Sequence, residues 1–322
     1  MPDPYSGTKR SLVLGGHGFI GSHLIDALLS SGREVVSFDR PRISPAHSTS
    51  SMGKPVTYVD GDFTSTADIL AAMDGCNECF HLISTTLPKT SNADPVYDAE
   101  TNLLPTLRLL DLIVKDGAVK KLVFISSGGT VYGVPNEIPI HESHATNPVC
   151  AYGITKLAIE KYLELYRVLH GLQYSVLRLS NPFGERQRVE SSQGAIAVFI
   201  GKLLQNEIVE IWGDGSVVRD YVHISDVVSA IKQAADLETK NRIFNIGSGQ
   251  GRTLNEVLDV IESVAQTPLK RNYVGGRLFD VPANVLDIQR AHHELGWAPK
   301  VSFRDGVREM YESVRAQMEV RS

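Results

Sequence analysis

The sequence predicts an α/β protein: a doubly wound parallel sheet with helices on both faces, joined to a smaller C-terminal α/β lobe. Two observations carry the first part. Short apolar runs at Leu12–Leu14, Val35–Phe38, Cys79–Ile83 and Leu122–Ile125 alternate with stretches of helical apolar spacing, the pattern of a parallel sheet with crossover helices. Polar residues gather just after these and neighbouring runs, at Asp39, Asp62, Ser84-Thr85-Thr86, Ser126-Ser127 and Asn181, the ends where right-handed crossovers place ligand loops. A third observation concerns the lobe: from Asn181 onward short strands mix with helices at Ala195–Gln205, Ile224–Leu237 and Leu254–Ala265. We therefore expect a first domain over 1–180 and a second over 181–322, with some exchange of chain between them and a small ligand in the cleft.

The first strand stops at Gly15, and glycines recur at Gly18 and Gly21 before helical spacing resumes through Ile20, Leu24, Ala27 and Leu28. Strand, tight glycine turn and helix form the context of a dinucleotide phosphate motif, in which bare backbone approaches a pyrophosphate at a helix N-terminus. Gly15, Gly18, Phe19, Ile20 and Gly21 are the candidate contacts. The second run, Glu34–Phe38, ends at Asp39, at about the ~20-residue offset of the ribose-binding acid. A carboxylate there accepts bonds from both ribose hydroxyls and repels a 2′-phosphate, which predicts NAD over NADP. Arg40 and Arg42 follow and are the residues that could host such a phosphate.

After a Ser/Pro-rich loop from Pro41 to Pro55 come a strand at Val56–Val59 and the turn Gly61-Asp62-Phe63, with Asp62 suited to an adenine edge and Phe63 to its face. Thr66–Met73 reads as a short helix opened by Ser65 or Thr66. A strand at Glu78–Ile83 leads, past Pro88 and Pro95, to a helix over Tyr97–Lys115 and then to the buried strand Lys121–Ile125. Cys76 and Cys79 stand in Cys-x-x-Cys spacing, but no second pair completes a four-cysteine metal site. Core cysteines are the expectation, with no metal.

A chain of 322 residues with 32 basic and 37 acidic side chains, net charge −5, has no polybasic block, so nucleic acid is not an expected partner. No apolar run approaches the ~20 residues that span a bilayer. Met1–Lys9 lacks the apolar centre of a signal peptide, which makes a cytoplasmic protein without membrane attachment the expectation.

Beyond the Ser126–Gly133 loop, Tyr152-Gly153-Ile154-Thr155-Lys156 opens a long helix through about His170. Tyr152 and Lys156, four apart, share a helix face. A phenol keeps its proton to about pH 10, but a nearby ammonium and a cationic nicotinamide favour the phenolate, so Tyr152 is the candidate base. Lys156 tunes it and can hold ribose hydroxyls. Ser127 or Thr130 can bridge a substrate oxygen to the phenol.

Gly15-x-x-Gly18-x-x-Gly21, Asp39, Gly61-Asp62, His81-Leu82, Asn102, Ser126-Ser127, Val131-Tyr132-Gly133 and Tyr152-x-x-x-Lys156 together resemble the extended short-chain dehydrogenase/reductases. More narrowly they resemble the NAD-dependent epimerase/dehydratase family of nucleotide-sugar enzymes. Arg178–Gly184, Trp212-Gly213-Asp214-Gly215, Arg219–His223, Phe244–Gly249 and Leu295-Gly296-Trp297-x-Pro299 extend the likeness over nearly the whole chain. The resemblance implies a Rossmann-like fold, bound NAD, and cofactor contacts from Leu82, Ser84 and Asn102 besides those named above. It also implies a homodimer paired through the helices Tyr97–Lys115 and Tyr152–His170. Arg219 and Arg277 match the family's pyrophosphate arginines, Asp280 its uridine-ribose carboxylate, and Asn181 a side chain near the substrate phosphates.

Two departures stand out. Gly128 occupies the place of the family's catalytic Ser or Thr, and Asn284 replaces the Tyr that narrows the sugar pocket in bacterial galactose epimerases. Gly128-Gly129-Thr130 also lacks the carboxylates of the family's dehydratases and decarboxylases. What remains by elimination is 4-epimerisation of a UDP-hexose or UDP-N-acetylhexosamine. A dehydratase or reductase of the same family, or a non-catalytic NAD-binding regulator, is the alternative.

Overall fold

A computed structural model of the chain describes residues 9–41, 56–189, 194–275 and 281–321. The chain forms two compact units, Met1–Val131 with Pro148–Arg178 and Val228–Phe244, and Tyr132–Asn147 with Leu179–Val227 and Asn245–Ser322.

In the first unit β1 (Arg10–Leu14), α1 (Phe19–Ser30), β2 (Glu34–Asp39), β3 (Val56–Asp60), α2 (Thr66–Met73) and β4 (Glu78–His81) follow in order. Two short helices, α3 (Pro88–Ser91) and α4 (Pro95–Asp98), lead through a π-helical turn, Ala99–Leu103, into α5 (Leu104–Asp116). Then come β5 (Lys121–Ser127), α6 (Ala151–His170) and β6 (Gln173–Leu179). In the second unit β7 (Asn181–Phe183), α7 (Ala195–Leu204), β8 (Ile208–Trp212) and β9 (Val218–His223) precede α8 (Ile224–Asp236), most of which belongs to the first unit. The chain continues through β10 (Ile243–Ile246), β11 (Gly251–Thr253), α9 (Leu254–Ala265), β12 (Lys270–Val274), β13 (Ala283–Asn284), α10 (Gln289–Leu295) and α11 (Phe303–Arg321).

The large sheet has the order β10-β6-β5-β4-β1-β2-β3, with parallel registers between β1 and β2, β2 and β3, β1 and β4, and β4 and β5. The chain winds outward from β1 on one side, then returns to lay β4 on the other. The strand order therefore reverses between β1 and β4, the position at which open α/β sheets bind ligands. Leu12, Leu14, Phe38, Cys79, Leu122, Phe124, Leu163 and Val176 are fully buried in the core around it. Cys76 and Cys79 are buried there as free thiols, and burial pushes both thiol pKa values up, Cys76 to about 11. They are packing residues.

The expected helix over Tyr97–Lys115 is broken. Pro105 has no N–H to offer the carbonyl of Thr101 and would clash with it in a continuous α-helix. The wider π turn Ala99–Leu103 takes up that break, and α5 restarts with Pro105 in its first turn. The helix ends at Gly117, φ +70°, a conformation a side chain would strain.

The helix α6 is tied to its neighbours by a buried ion pair. Glu160, 2% exposed, accepts Arg178 Nη2 at 2.6 Å from β6 and Ser126 Oγ at 2.5 Å from β5. In the second unit a buried carboxylate does similar work. Asp220, fully buried on β9, accepts Ser248 N–H and Oγ at 2.7 Å each, Leu286 N–H at 3.2 Å and Gly249 N–H at 3.3 Å. A Cβ at Gly247 would lie 2.3 Å from it, so the Asn-Ile-Gly-Ser-Gly motif is a collar around Asp220. Tyr132 of the Val-Tyr-Gly motif donates to Asn245 Oδ1 at 2.7 Å, and Trp297 Nε1 donates to Asp226 O at 2.9 Å. Both motif aromatics are structural. No described helix is long and apolar enough to cross a membrane.

Arg178→Met leaves Glu160 charged, buried and unpaired, which costs about 3–5 kcal/mol. Urea unfolding should show that loss, and the double variant Glu160→Leu/Arg178→Met should recover part of it; an unchanged midpoint in the single variant contradicts the pairing.

Candidate active site

At the end of β1 the backbone turns through Gly15, φ +90°. The N–H groups of Gly15 and Gly16 both donate to Phe38 O, at 2.8 and 3.4 Å, which pins the turn to the end of β2. A Cβ on Gly21 would sit 2.1 Å from Gly15 O, and one on Gly16 2.2 Å from Ser37 Oγ. Turn and helix can approach this closely only without side chains. Gly18 is the N-cap of α1 and gives it no side-chain cap, so the first turn, Phe19 and Ile20, opens without a side-chain acceptor at its cap. Such an end receives an anion.

The Asp39 carboxylate accepts the N–H groups of His17 at 2.9 Å and Arg40 at 2.8 Å. It is thereby fixed beside the glycine turn at the end of β2, half-buried. Glycine cradle and carboxylate together fit a dinucleotide. Arg42 lies outside the described residues. Asp62 is exposed after β3, and its bond from Thr64 N–H (2.8 Å) holds its carboxyl below the usual range. Phe63 departs from the expectation. Its ring is 5% exposed and packs on His81 with centroids 5.1 Å apart, so it belongs to the core and offers no open face to an adenine. His81 lies between Phe63 and Phe124, and burial drives its pKa down to about 3, so it stays neutral.

Leu82 N–H donates to Leu14 O at 3.0 Å, carrying the β1–β4 pairing up to the glycine turn. Ser84 is exposed beyond it, and its hydroxyl donates to Thr86 O at 3.1 Å. Asn102 sits in the π turn, 6% exposed, and its amide is engaged by the neighbouring loop: Nδ2 donates to Thr85 Oγ1 and Asp98 O, while Oδ1 accepts Thr85 N–H. It shapes the strand-end loop from beneath.

Tyr152 and Lys156 do share one face of α6. The helix start has no side-chain cap of its own; instead Asn92 Oδ1 accepts Ala151 N–H at 2.8 Å and Ser91 Oγ accepts Tyr152 N–H at 3.0 Å. Lys156 is 5% exposed, donates to Ile125 O at 2.9 Å, and its Nζ lies 5.6 Å from the centre of the Tyr152 ring. Burial pushes the phenol up to about 12 and the ammonium down to about 8. At neutral pH both therefore hold their protons, and the phenol becomes a base only when further positive charge is brought beside it. Thr130 Oγ1 is buried with no hydrogen-bond partner among the described residues, and Ser127 is half-buried.

In the second unit Asn181 Nδ2 donates to Asp220 O at 2.9 Å, and Arg219 Nη1 donates to Val281 O at 2.7 Å. Arg219 stands in register with Asn284 on β13 and with Arg252 on β11. One row thus brings together two expected residues and adds Arg252, which the sequence reading missed. Asn284 is 2% exposed. Arg277 and Asp280 lie outside the described residues. In the first unit the missed residues are Ser91, Asn92 and Asp98; the only signal was a polar, proline-punctuated loop.

The model of the NAD dependent epimerase/dehydratase family matches residues 11–247. The chain is 36% identical to the UDP-glucose 4-epimerase of Mycolicibacterium smegmatis, covering 95% of this chain and 98% of that one. It is 33% identical to a dTDP-4-dehydro-6-deoxyglucose reductase of Escherichia coli, again over 95% and 98%. A crystal structure of UDP-glucose 4-epimerase from Thermotoga maritima with UDP-glucose superimposes with a TM-score of 0.89 at 34% identity, over 96% of this chain and 99% of that one.

Asp39→Ala should narrow a preference for NAD over NADP, measured by calorimetry on cofactor-free protein; equal affinity of the native protein for both removes the assignment. Gly21→Ala should abolish binding of either, because the added methyl meets Gly15 O.

Proposed function

The chain belongs to the NAD-dependent epimerase/dehydratase family, and from that premise we propose that it interconverts the C4 epimers of a UDP-hexose or UDP-N-acetylhexosamine. The observation that carries this is the Tyr152–Lys156 pair at the start of α6, facing a Gly128-Gly129-Thr130 segment without a carboxylate. NAD, held by the Gly15–Gly21 turn and Asp39, supplies the two-electron oxidation of the sugar at C4 and its reversal, and brings a positive charge on its oxidised ring. With NAD bound, the Tyr152 phenol, at about 12 without it, would be lowered toward the working range beside the Lys156 ammonium. Tyr152 then takes the proton of the 4-hydroxyl and gives it back when the opposite face is reduced. No carboxylic acid stands in Gly128-Gly129-Thr130 to eliminate water or carbon dioxide from the 4-keto sugar.

Ser127 and Thr130 are the candidates for the hydroxyl that Gly128 lacks; Thr130 borders the start of the helix, its carbonyl 2.9 Å from where a Cβ on Gly153 would lie. We assign Arg219 and Arg277 to the pyrophosphate of the nucleotide, Asn181 to the neighbourhood of its phosphates and Asp280 to its ribose hydroxyls. Asn284, smaller than tyrosine, admits a bulkier C2 substituent. The relative named a dTDP-4-dehydro-6-deoxyglucose reductase favours one second reading, reduction of a nucleotide 4-keto sugar with exchange of cofactor.

We also propose a homodimer. On the two helices expected to pair, Leu110, Ile159 and Leu163 are buried in the unit's own core, while Leu165 is 44% exposed. Ile154, Val168 and Leu169 on α6 and Leu104 on α5 are exposed as well, and these form the surface to be covered.

Incubation with UDP-hexoses and UDP-N-acetylhexosamines without added NAD should yield the C4 epimers from protein that keeps its cofactor. Consumption of added NADH by a nucleotide 4-keto sugar, with no epimer formed, establishes the reductase instead. Tyr152→Phe should lower turnover about 10²–10⁴-fold with NAD retained; full turnover sinks the mechanism. If Ser127 or Thr130 serves in place of the missing hydroxyl, Gly128→Ser should bring no gain. Sedimentation at micromolar concentration should give twice the chain mass, and a monomer refutes the pairing.

A further inference from the structure

Asp98 closes α4 immediately before the π turn and is 1% exposed. A carboxylate so deeply buried is costly unless its charge is compensated. Its hydrogen-bond partners are neutral: the Thr86 hydroxyl, the Thr155 hydroxyl and the Asn102 amide at 3.3 Å. Thr155 immediately precedes Lys156, so the bond from Thr155 ties Asp98 to the turn of α6 that carries the ammonium. Lys156 is likewise buried and, among the described residues, its head donates to the neutral carbonyl of Ile125 at 2.9 Å and lies over the faces of two aromatic rings. Two opposite charges are thus enclosed in one packed region of the first unit, each solvated by neutral groups.

We propose that Asp98 is a positioning residue for the Tyr152–Lys156 pair: its buried charge keeps the Lys156 ammonium protonated and sets the pH at which the pair works. The proposal rests on the assignment of that pair as the catalytic one.

The direction of the effect is fixed by sign. A carboxylate favours the ammonium and opposes the phenolate, so it raises the pKa of both groups. The other charges around the ammonium come from two elements. On α6, Glu160 one turn further along supports it, but is paired with Arg178; Tyr152 lies one turn back. From β4, His81 is neutral, and the ammonium itself helps keep it so. Cys150, before the helix, faces Asp98 and Tyr152, and burial raises its thiol pKa, as a neutral thiol requires. That leaves Asp98 as the charge that a single substitution can remove without unpairing an arginine.

The test reads the lysine directly. In protein labelled with ¹³C at the lysine ε carbons, the Lys156 resonance is identified by its loss in Lys156→Gln and followed from pH 6 to 10. Native Lys156 should titrate near 8, and Asp98→Asn should make deprotonation about tenfold easier, the lower end of what a neighbouring charge does. Thr155→Val, which keeps the charge and removes one bond to it, should leave Lys156 close to its native titration. If Asp98→Asn does not fold, Asp98→Ser, neutral and able to bond the same hydroxyls, carries the same expectation. The same titration in native and neutral variants overturns the proposal, as does a shift in Thr155→Val as large as that in Asp98→Asn. In epimerase assays both limbs of the pH profile should move to lower pH in Asp98→Asn. A native protein that epimerises no sugar refutes the function proposed above, while the lysine titration still decides the role of Asp98.

Discussion

The bond from Lys156 Nζ to Ile125 O, 2.9 Å long, joins the chemical face of α6 to the last residues of β5. A lysine buried to this degree has no water to turn to, so the carbonyl and the Phe124 ring 4.7 Å away must hold its head. One turn along, Glu160 ties the same helix to β5 through Ser126 and to β6 through Arg178. With both ties in place, the position of the Tyr152 ring follows from helix geometry. The chemistry is therefore built on the rigid part of the unit.

The glycine turn applies the opposite means to the same end. Where α6 is fixed by charged and polar side chains, the start of α1 is fixed by having none. The 2.1 Å separation that a Gly21 Cβ would have from Gly15 O measures how far the helix has moved into the turn. Asp39 then reaches the same spot from β2 and secures it through His17 N–H. Both features sit at the reversal of strand order, where neighbouring crossovers run to opposite faces of the sheet and leave the strand ends open.

Much of this was legible in the sequence because spacing alone sets it. Three glycines three apart after an apolar run, an acid at the end of the next run, and Tyr and Lys four apart each specify a local geometry. What could not be read depends on residues meeting across long separations. Ser91 and Asn92 cap a helix about 60 residues later, Asp98 meets Thr155 57 residues on, and nothing in either stretch announces its partner. Phe63 shows a second limit. An aromatic beside an exposed acid at a strand end reads as a binding face, yet whether a ring turns outward or into the core depends on the space beneath it, here taken by His81. Asn102 and Tyr132 show a third. Both belong to motifs, but their side chains are engaged within the fold, Asn102 with the backbone of its loop and Tyr132 with the side chain of Asn245, a role that composition does not separate from contact with a ligand.

The π turn at Ala99–Leu103 has a consequence for how this segment tolerates change in length. Each residue of an α-helix advances the side chains by about 100° around the axis. A π turn is one residue inserted into that count. Removing a residue between Asp98 and Leu104 would close the widened turn and set Pro105 against the carbonyl one turn earlier, a local cost. It would also rotate Leu109, Leu110 and Ile113, all buried to 1% or less, away from the sheet relative to Asp98. The segment is thus locked in length: its two ends answer to different neighbours, and only the widened turn keeps them in phase.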